Sequence, residues 1–402
     1  MKKIIFHTGL ILSILILNSC TEITTEPVSD CTFIDLNDVN NPNKDLYQEI
    51  LDEYVDMGIP GISVAIYTPE DGWWVGCSGL ARIEDETDLE SCHLFHSASI
   101  AKTYTATMVL HLIEEGTLNL EDPIKDYLPE KMANQIKNTD EITIHQLLNH
   151  TSGLWYFRDY QWRYDSYNEQ MENSTVESFY ESYVYGKPVF SAPGEQFNYT
   201  DLNFVLLAKI IEAVTGESVD EYMTELISEP LGLANTFIGS ANDYPDEMIY
   251  LANAYWEFYK GQIQNCTEIQ NENAPFSIGA TGVIATPYEY ARFIQELGRG
   301  NILTTATLDI MLAEDHEFNE IATYSLGVLK WNLGDRLSFG HFGKGRGHSG
   351  IFLYFPEEDV CLAILCNIGS RYSSDNTRRF GFDVPAEFVN VIFNGKRGTD
   401  LN

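Results

Sequence analysis

Ser99-Ile-Ala-Lys-Thr-Tyr-Thr-Ala-Thr-Met-Val-Leu-His-Leu-Ile-Glu-Glu115 reads as a helix with apolar residues on almost every side. Ile100, Ala101, Tyr104, Ala106, Met108, Val109, Leu110, Leu112 and Ile113 leave no broad polar face, so this helix is expected at the centre of a core. Gly116 suits its end. Its first turn holds the chain's single Ser-x-x-Lys, Ser99 to Lys102. Residues three apart share a helical face, so the spacing sets the Lys102 amine beside the Ser99 hydroxyl. A serine hydroxyl becomes a nucleophile when a nearby base takes its proton, and a lysine held away from water can be that base. The pattern points to covalent serine catalysis without a histidine triad.

Outward from this helix, the N-terminal side reads helix then hairpin. Leu46, Ile50, Leu51, Tyr54 and Val55 fall at helical spacing. Gly61–Tyr67 and Trp73–Ser78 are strand-like, with turn chemistry at Pro69–Gly72. The middle of the chain is mostly helical: Leu202–Val214, Val219–Ile227 and Pro287–Leu297. Strands return at Tyr324–Trp331, Arg336–His341, Ile351–Phe355 and Val360–Asn367, and Asp383–Phe393 closes with a helix. Strands at both ends with helices between them indicate an α+β fold. Its antiparallel sheet is built from both chain ends and flanked by helices, with a helical insert over about 100–320 and a cleft between the two parts.

Met1-Lys2-Lys3, the apolar run Ile4–Leu17 and Asn18-Ser19-Cys20 form a secretory signal. Leu17-Asn18-Ser19-Cys20 resembles the bacterial lipobox. That resemblance implies cleavage before Cys20, lipid attachment to its thiol, and an exported protein held at a membrane by its anchor. Residues 1–19 are read as the signal, 20–44 as a flexible tether and 45–395 as the catalytic domain. The net charge of −36 repels nucleic acid and anionic membrane surface, and the 44% apolar content supports a full-sized core. No spacing of Cys or His suggests a metal site, and no cofactor is expected. Cys77 and Cys92 flank a short excursion and are the expected bridge. Cys361 and Cys366, on one strand, would lie about 16 Å apart facing opposite sides and are not expected to pair.

Five segments, in this order, resemble the serine β-lactamase and penicillin-binding superfamily, in particular its branch of class C β-lactamases, D-Ala-D-Ala carboxypeptidases and esterases. They are Phe95–Thr103 around the nucleophile, Ile142–Leu154, Phe197–Asn203, Pro230–Thr236 and Gly279–Thr286. The resemblance spans about 45–390. It implies an acyl-enzyme on Ser99, with Lys102 and Tyr199 as the proton-handling pair and the principal base left open between them. It also implies an oxyanion hole from the Ser99 backbone N–H and one N–H of a terminal strand. The expected partner is a small-molecule or peptide acyl donor. Tyr199-Thr200-Asp201 departs from the family's Tyr-Ser-Asn. A carboxylate accepts hydrogen bonds where an amide also donates, so Asp201 disfavours amide side-chain recognition. Asp201 could instead pair with Lys102 or favour a cationic group. Carboxypeptidase-like or esterase/amidase chemistry is therefore expected ahead of dedicated β-lactamase action, with a non-catalytic penicillin-binding sensor as the alternative of another class.

Two His-x-Gly runs can serve as the family's third motif: His341-Phe342-Gly343 and His348-Ser349-Gly350. The first ends a strand-like run and is preferred, which leaves His348 as a cleft-edge or structural residue. His150 is read as structural. The aromatic segment Trp155–Tyr164 overhangs the cleft or packs as a surface loop. Gly343–Gly347 is followed by a strand rather than a helix, which excludes a phosphate loop, and the chain holds no Gly-x-Ser-x-Gly of an α/β-hydrolase.

Overall fold

The computed structural model describes residues 41–167, 174–239, 250–259, 262–369 and 383–399. The signal, Cys20 and most of the tether lie outside the described residues.

The main sheet has nine strands, numbered here in chain order: β1 Gly61–Thr68, β2 Gly72–Arg82, β3 Thr87–Asp88, β4 His316–Asn319, β5 Ala322–Tyr324, β6 Leu329–Leu333, β7 Arg336–Lys344, β8 Ser349–Phe355 and β9 Val360–Cys366. Their spatial order is β3-β2-β1-β9-β8-β7-β6-β5-β4, with every pairing antiparallel. The two chain ends meet at the β1–β9 seam, where Ile62 faces Cys366 and Tyr67 faces Cys361.

Period-2 alternation explains why both faces are buried. Ile62, Val64 and Ile66 of β1 and Leu362, Ile364 and Cys366 of β9 point to one core, beside Ile50, Leu51 and Phe388. Those partners belong to the terminal helices α1, Lys44–Asp56, and α5, Val384–Asn394. Cys361, Ala363 and Leu365 point to the larger core on the other face. There lie α2, Ala101–Glu114, and two further helices, α3, Asp201–Thr215, and α4, Pro287–Gly298. Every residue from Ala101 to Leu110 is buried, and side chains such as Leu110 and Met108 stabilise the core by about 1.5–3 kcal/mol each.

Three readings are corrected. The run Tyr324–Trp331 is not one strand: β5 ends at Tyr324 and β6 begins at Leu329. Gly327 between them has φ +76° and packs against α2, where a Cβ would meet that of Ala106 at 2.2 Å. Cys77 is free, and its thiol faces the Leu89 carbonyl at 3.1 Å rather than Cys92. Cys92 is disulfide-bonded, with its partner outside the described residues. The middle of the chain also carries short strands: Phe95–His96, Val283–Ala285 and Phe237–Ile238 form one small sheet.

Candidate active site

The small sheet fixes the nucleophile. Ser97 N donates to Val283 O at 2.9 Å, and the Tyr290 hydroxyl donates to the carbonyls of Phe95 and Val283 at 2.9 and 3.0 Å. The chain then turns sharply into a 3₁₀ turn, Ala98–Ile100, with Ala98 at φ +46°. A non-glycine residue in that region is strained, and the surrounding bonds hold it there. The turn presents Ser99, half-buried, at the head of α2.

Lys102 follows one turn on, and its amine is fully buried. Nζ lies 3.1 Å from Ser99 Oγ, 2.6 Å from Asp201 Oδ1 and 3.1 Å from the Ala280 carbonyl. Burial drives its pKa below the usual lysine range. The Asp201 carboxylate opposes that shift by charge and hydrogen bond, and Arg158 adds to it.

Tyr199 completes the centre. Its phenol lies against the Ser99 side chain, which acts to lower its pKa, and the Lys102 amine stands 4.9 Å from its ring centroid. Burial and then the negative Asp201 hold the phenol well above its normal pKa, so it keeps its proton. His150 sets the tyrosine from beneath. Its ring packs 4.3 Å from that of Tyr199, its Nδ1 accepts from Asn203 Nδ2 at 2.9 Å and from Thr200 N at 3.3 Å, and its carbonyl receives Asn198 N at 2.8 Å.

Asp201 opens α3 just after the N-cap Thr200. It is 3% exposed and engaged by protein cations: Oδ1 on Lys102, and Oδ2 at 2.8 Å from Arg158 Nε. It lines the cleft, and its carboxylate pairs with Lys102, one of the alternatives left open by the sequence, while bridging that amine to Arg158. Arg158 had no assigned role in the sequence. It comes from the aromatic segment, and its guanidinium also lies 5.3 Å from the Trp162 ring.

The two His-x-Gly runs separate cleanly. β7 carries His341, Phe342 and Gly343 past the nucleophile turn so closely that a Cβ on Gly343 would meet Ser97 O at 2.1 Å. Only glycine allows that approach. The pairing of β7 with β6 stops at Gly340, so this edge of His341–Lys344 is unpaired and runs beside Ser99. His341 itself is buried under the strand. It donates from Nδ1 to Phe342 O at 2.7 Å, and burial pushes its pKa down to about 3. His348 sits beyond the strand in the turn before β8. It lines the cleft against the His96 ring, with Nδ1 2.9 Å from Gln270 Nε2.

The cleft has a volume of about 400 Å³. Ser99, Tyr199 and Asp201 line it together with Tyr156, Trp162, Phe342 and Lys344. The aromatic segment therefore contributes Tyr156, Arg158 and Trp162 to the cleft lining. Among the described lining residues Asp201 is the one carboxylate, while Arg158, Lys344 and Arg346 are all basic. This is a cationic cleft in a chain of net charge −36.

Comparison with known proteins agrees with this geometry. Residues 47–381 match the family described as Beta-lactamase. Penicillin-binding protein 4* of Bacillus subtilis (strain 168) is 29% identical over 301 residues, 72% of this chain and 64% of its own length. Protein flp of Staphylococcus aureus (strain NCTC 8325 / PS 47) is 27% identical over 205 residues, 51% of this chain. The match spans 40% of flp, so this chain covers less than two thirds of either relative. The D-amino acid amidase of Ochrobactrum anthropi SV3 has the same fold, with TM-score 0.76 and 24% identity over 88% of this chain and 99% of the amidase. With the matched region covering most of its length, the chain belongs to the β-lactamase family of serine hydrolases, the superfamily that includes the penicillin-binding proteins.

Proposed function

We propose that Ser99 forms the acyl-enzyme and that Lys102 is its proton acceptor. The carrying observation is a buried amine 3.1 Å from a serine hydroxyl that opens into the cleft. Ser99 Oγ attacks the substrate carbonyl carbon while its proton passes to Lys102 Nζ. The developing oxyanion is held by the Ser99 N–H and a backbone N–H of Phe342–Lys344. Tyr199, which keeps its proton, relays one to the leaving group as the carbonyl–leaving-group bond breaks. Water then attacks the ester and frees Ser99. A phenolate base is disfavoured here because burial, and then the negative Asp201 beside it, raise the Tyr199 pKa.

The acyl donor is a small peptide with a free carboxylate on its leaving side, as in D-Ala-D-Ala carboxypeptidase chemistry. The unpaired edge of β7 suits an extended backbone, and Lys344 supplies a cation one residue past Gly343. The relatives named as a penicillin-binding protein and a D-amino acid amidase support an amide-type donor. The lipobox at Leu17–Cys20 supports an exported, lipid-anchored setting.

The test compares hydrolysis of a peptide ending in free D-Ala with its C-terminal amide. The free acid should be preferred, and Lys344→Ala should cut that preference by about fivefold, the size of one exposed charge pair. Equal rates on both peptides, unchanged in Lys344→Ala, would leave the esterase reading in its place.

A further inference from the structure

We propose that Arg158 binds the acyl side of the substrate, donating from its terminal nitrogens to an amide carbonyl on the carbon next to the scissile carbonyl. This rests on the acyl-enzyme reading above and adds a specificity residue to it.

The argument starts from Asp201. An asparagine at this position would offer the cleft an N–H donor; Asp201 offers none. Its two oxygens are held by Lys102 at 2.6 Å and Arg158 at 2.8 Å. The second contact orients the guanidinium. Nε forms a close ion pair with Asp201 without hydrogen-bond alignment, the side chain is 12% exposed, and the group is flanked by the rings of Phe157 and Trp162 at 5.7 and 5.3 Å. A guanidinium is a rigid planar fork of five donors. With Nε the nitrogen paired to Asp201, the terminal N–H groups are left for the cleft, which Arg158 lines together with Ser99 and Tyr156. The lost donor is thus replaced by one reaching in from a different segment.

The charge balance selects the ligand. Asp201 already neutralises the guanidinium, and Lys102 lies on the other side of that carboxylate. A neutral carbonyl gains hydrogen bonds here without bringing a second anion beside Asp201. A carboxylate in the same place would meet that repulsion. The group recognised is therefore an acylamino carbonyl, as in an N-acyl amino acid.

The experiment uses two esters with one leaving group, 4-nitrophenyl N-acetyl-D-alaninate and 4-nitrophenyl propionate. They share the propionyl skeleton and differ by the acetamido group. The wild-type protein should favour the first in kcat/KM, and Arg158→Ala should reduce that ratio by about ten- to a hundredfold, the loss of hydrogen bonds from a charged donor. Arg158→Lys, which keeps a charge beside Asp201 but not the fork, should slow the propionate less than Arg158→Ala does and still lose most of the ratio. If both esters slow equally in Arg158→Ala and recover equally in Arg158→Lys, Arg158 only steadies Asp201 and Lys102, and the inference is overturned. Ser99→Ala on the same two esters reports separately on the acyl-enzyme reading: turnover that survives it would remove that reading, whatever the ratio does.

Discussion

Lys102→Met should slow acylation of Ser99 by about 10²–10⁴-fold, the usual worth of a positioned general base. Methionine keeps the length and fills the same buried space. Asp201 retains Arg158 as a counterion, so the fold is expected to persist despite the loss of one partner. The measurement is the rate of covalent labelling, checked against the melting temperature. The same account fixes a pH effect. Acylation needs the free amine, so the rate climbs as pH rises through the Lys102 pKa. Asp201 pulls that pKa up, and Arg158 pushes it down. Asp201→Asn should therefore move the rising limb of the pH–rate profile to lower pH, and Arg158→Ala to higher pH. A limb that moves the opposite way would show that Lys102 is not the group being deprotonated.

Gly343→Ala should cost about 10²–10³-fold in kcat, comparable to removing an oxyanion donor. The added methyl would stand 2.1 Å from Ser97 O and 3.1 Å from the Ala98 Cβ. Neither can yield easily, because Ala98 is already held at φ +46° and Ser97 is bonded into the small sheet. The strand must retreat instead, taking its unpaired N–H groups away from Ser99. Gly343 lies near the end of β7, so stability should fall less than activity does. Wild-type turnover in this variant would show that β7 does not complete the site.

Much of this architecture was legible in the sequence because burial writes itself into composition. The helix from Ala101 has apolar residues all round and is central. Cys361 and Cys366 fall on opposite faces of β9, as alternation requires. The choice of His341-Phe342-Gly343 as the strand running beside Ser99 followed from strand propensity, and the geometry at Gly343 adds the steric reason. What the sequence hid were contacts between distant segments. Arg158 reaches Asp201 from a loop 43 positions earlier, and nothing in either local pattern names the partner. The one trace was an Asp where an Asn was expected. The split of Tyr324–Trp331 was hidden for the same reason, since Gly327 turns there to fit Ala106 on α2. The Cys77 error came from trusting proximity in sequence, whereas the pleat aims the thiol at Leu89 O.

The central claim is that Ser99 carries the acyl group with Lys102 as its base. Its most direct test is intact-protein mass spectrometry after brief exposure to a penicillin, followed by peptide mapping of the adduct. The account predicts one equivalent of acyl mass on the peptide containing Ser99, absent in Ser99→Ala and strongly slowed in Lys102→Met. An adduct on another residue, or undiminished labelling of Ser99→Ala, would contradict it.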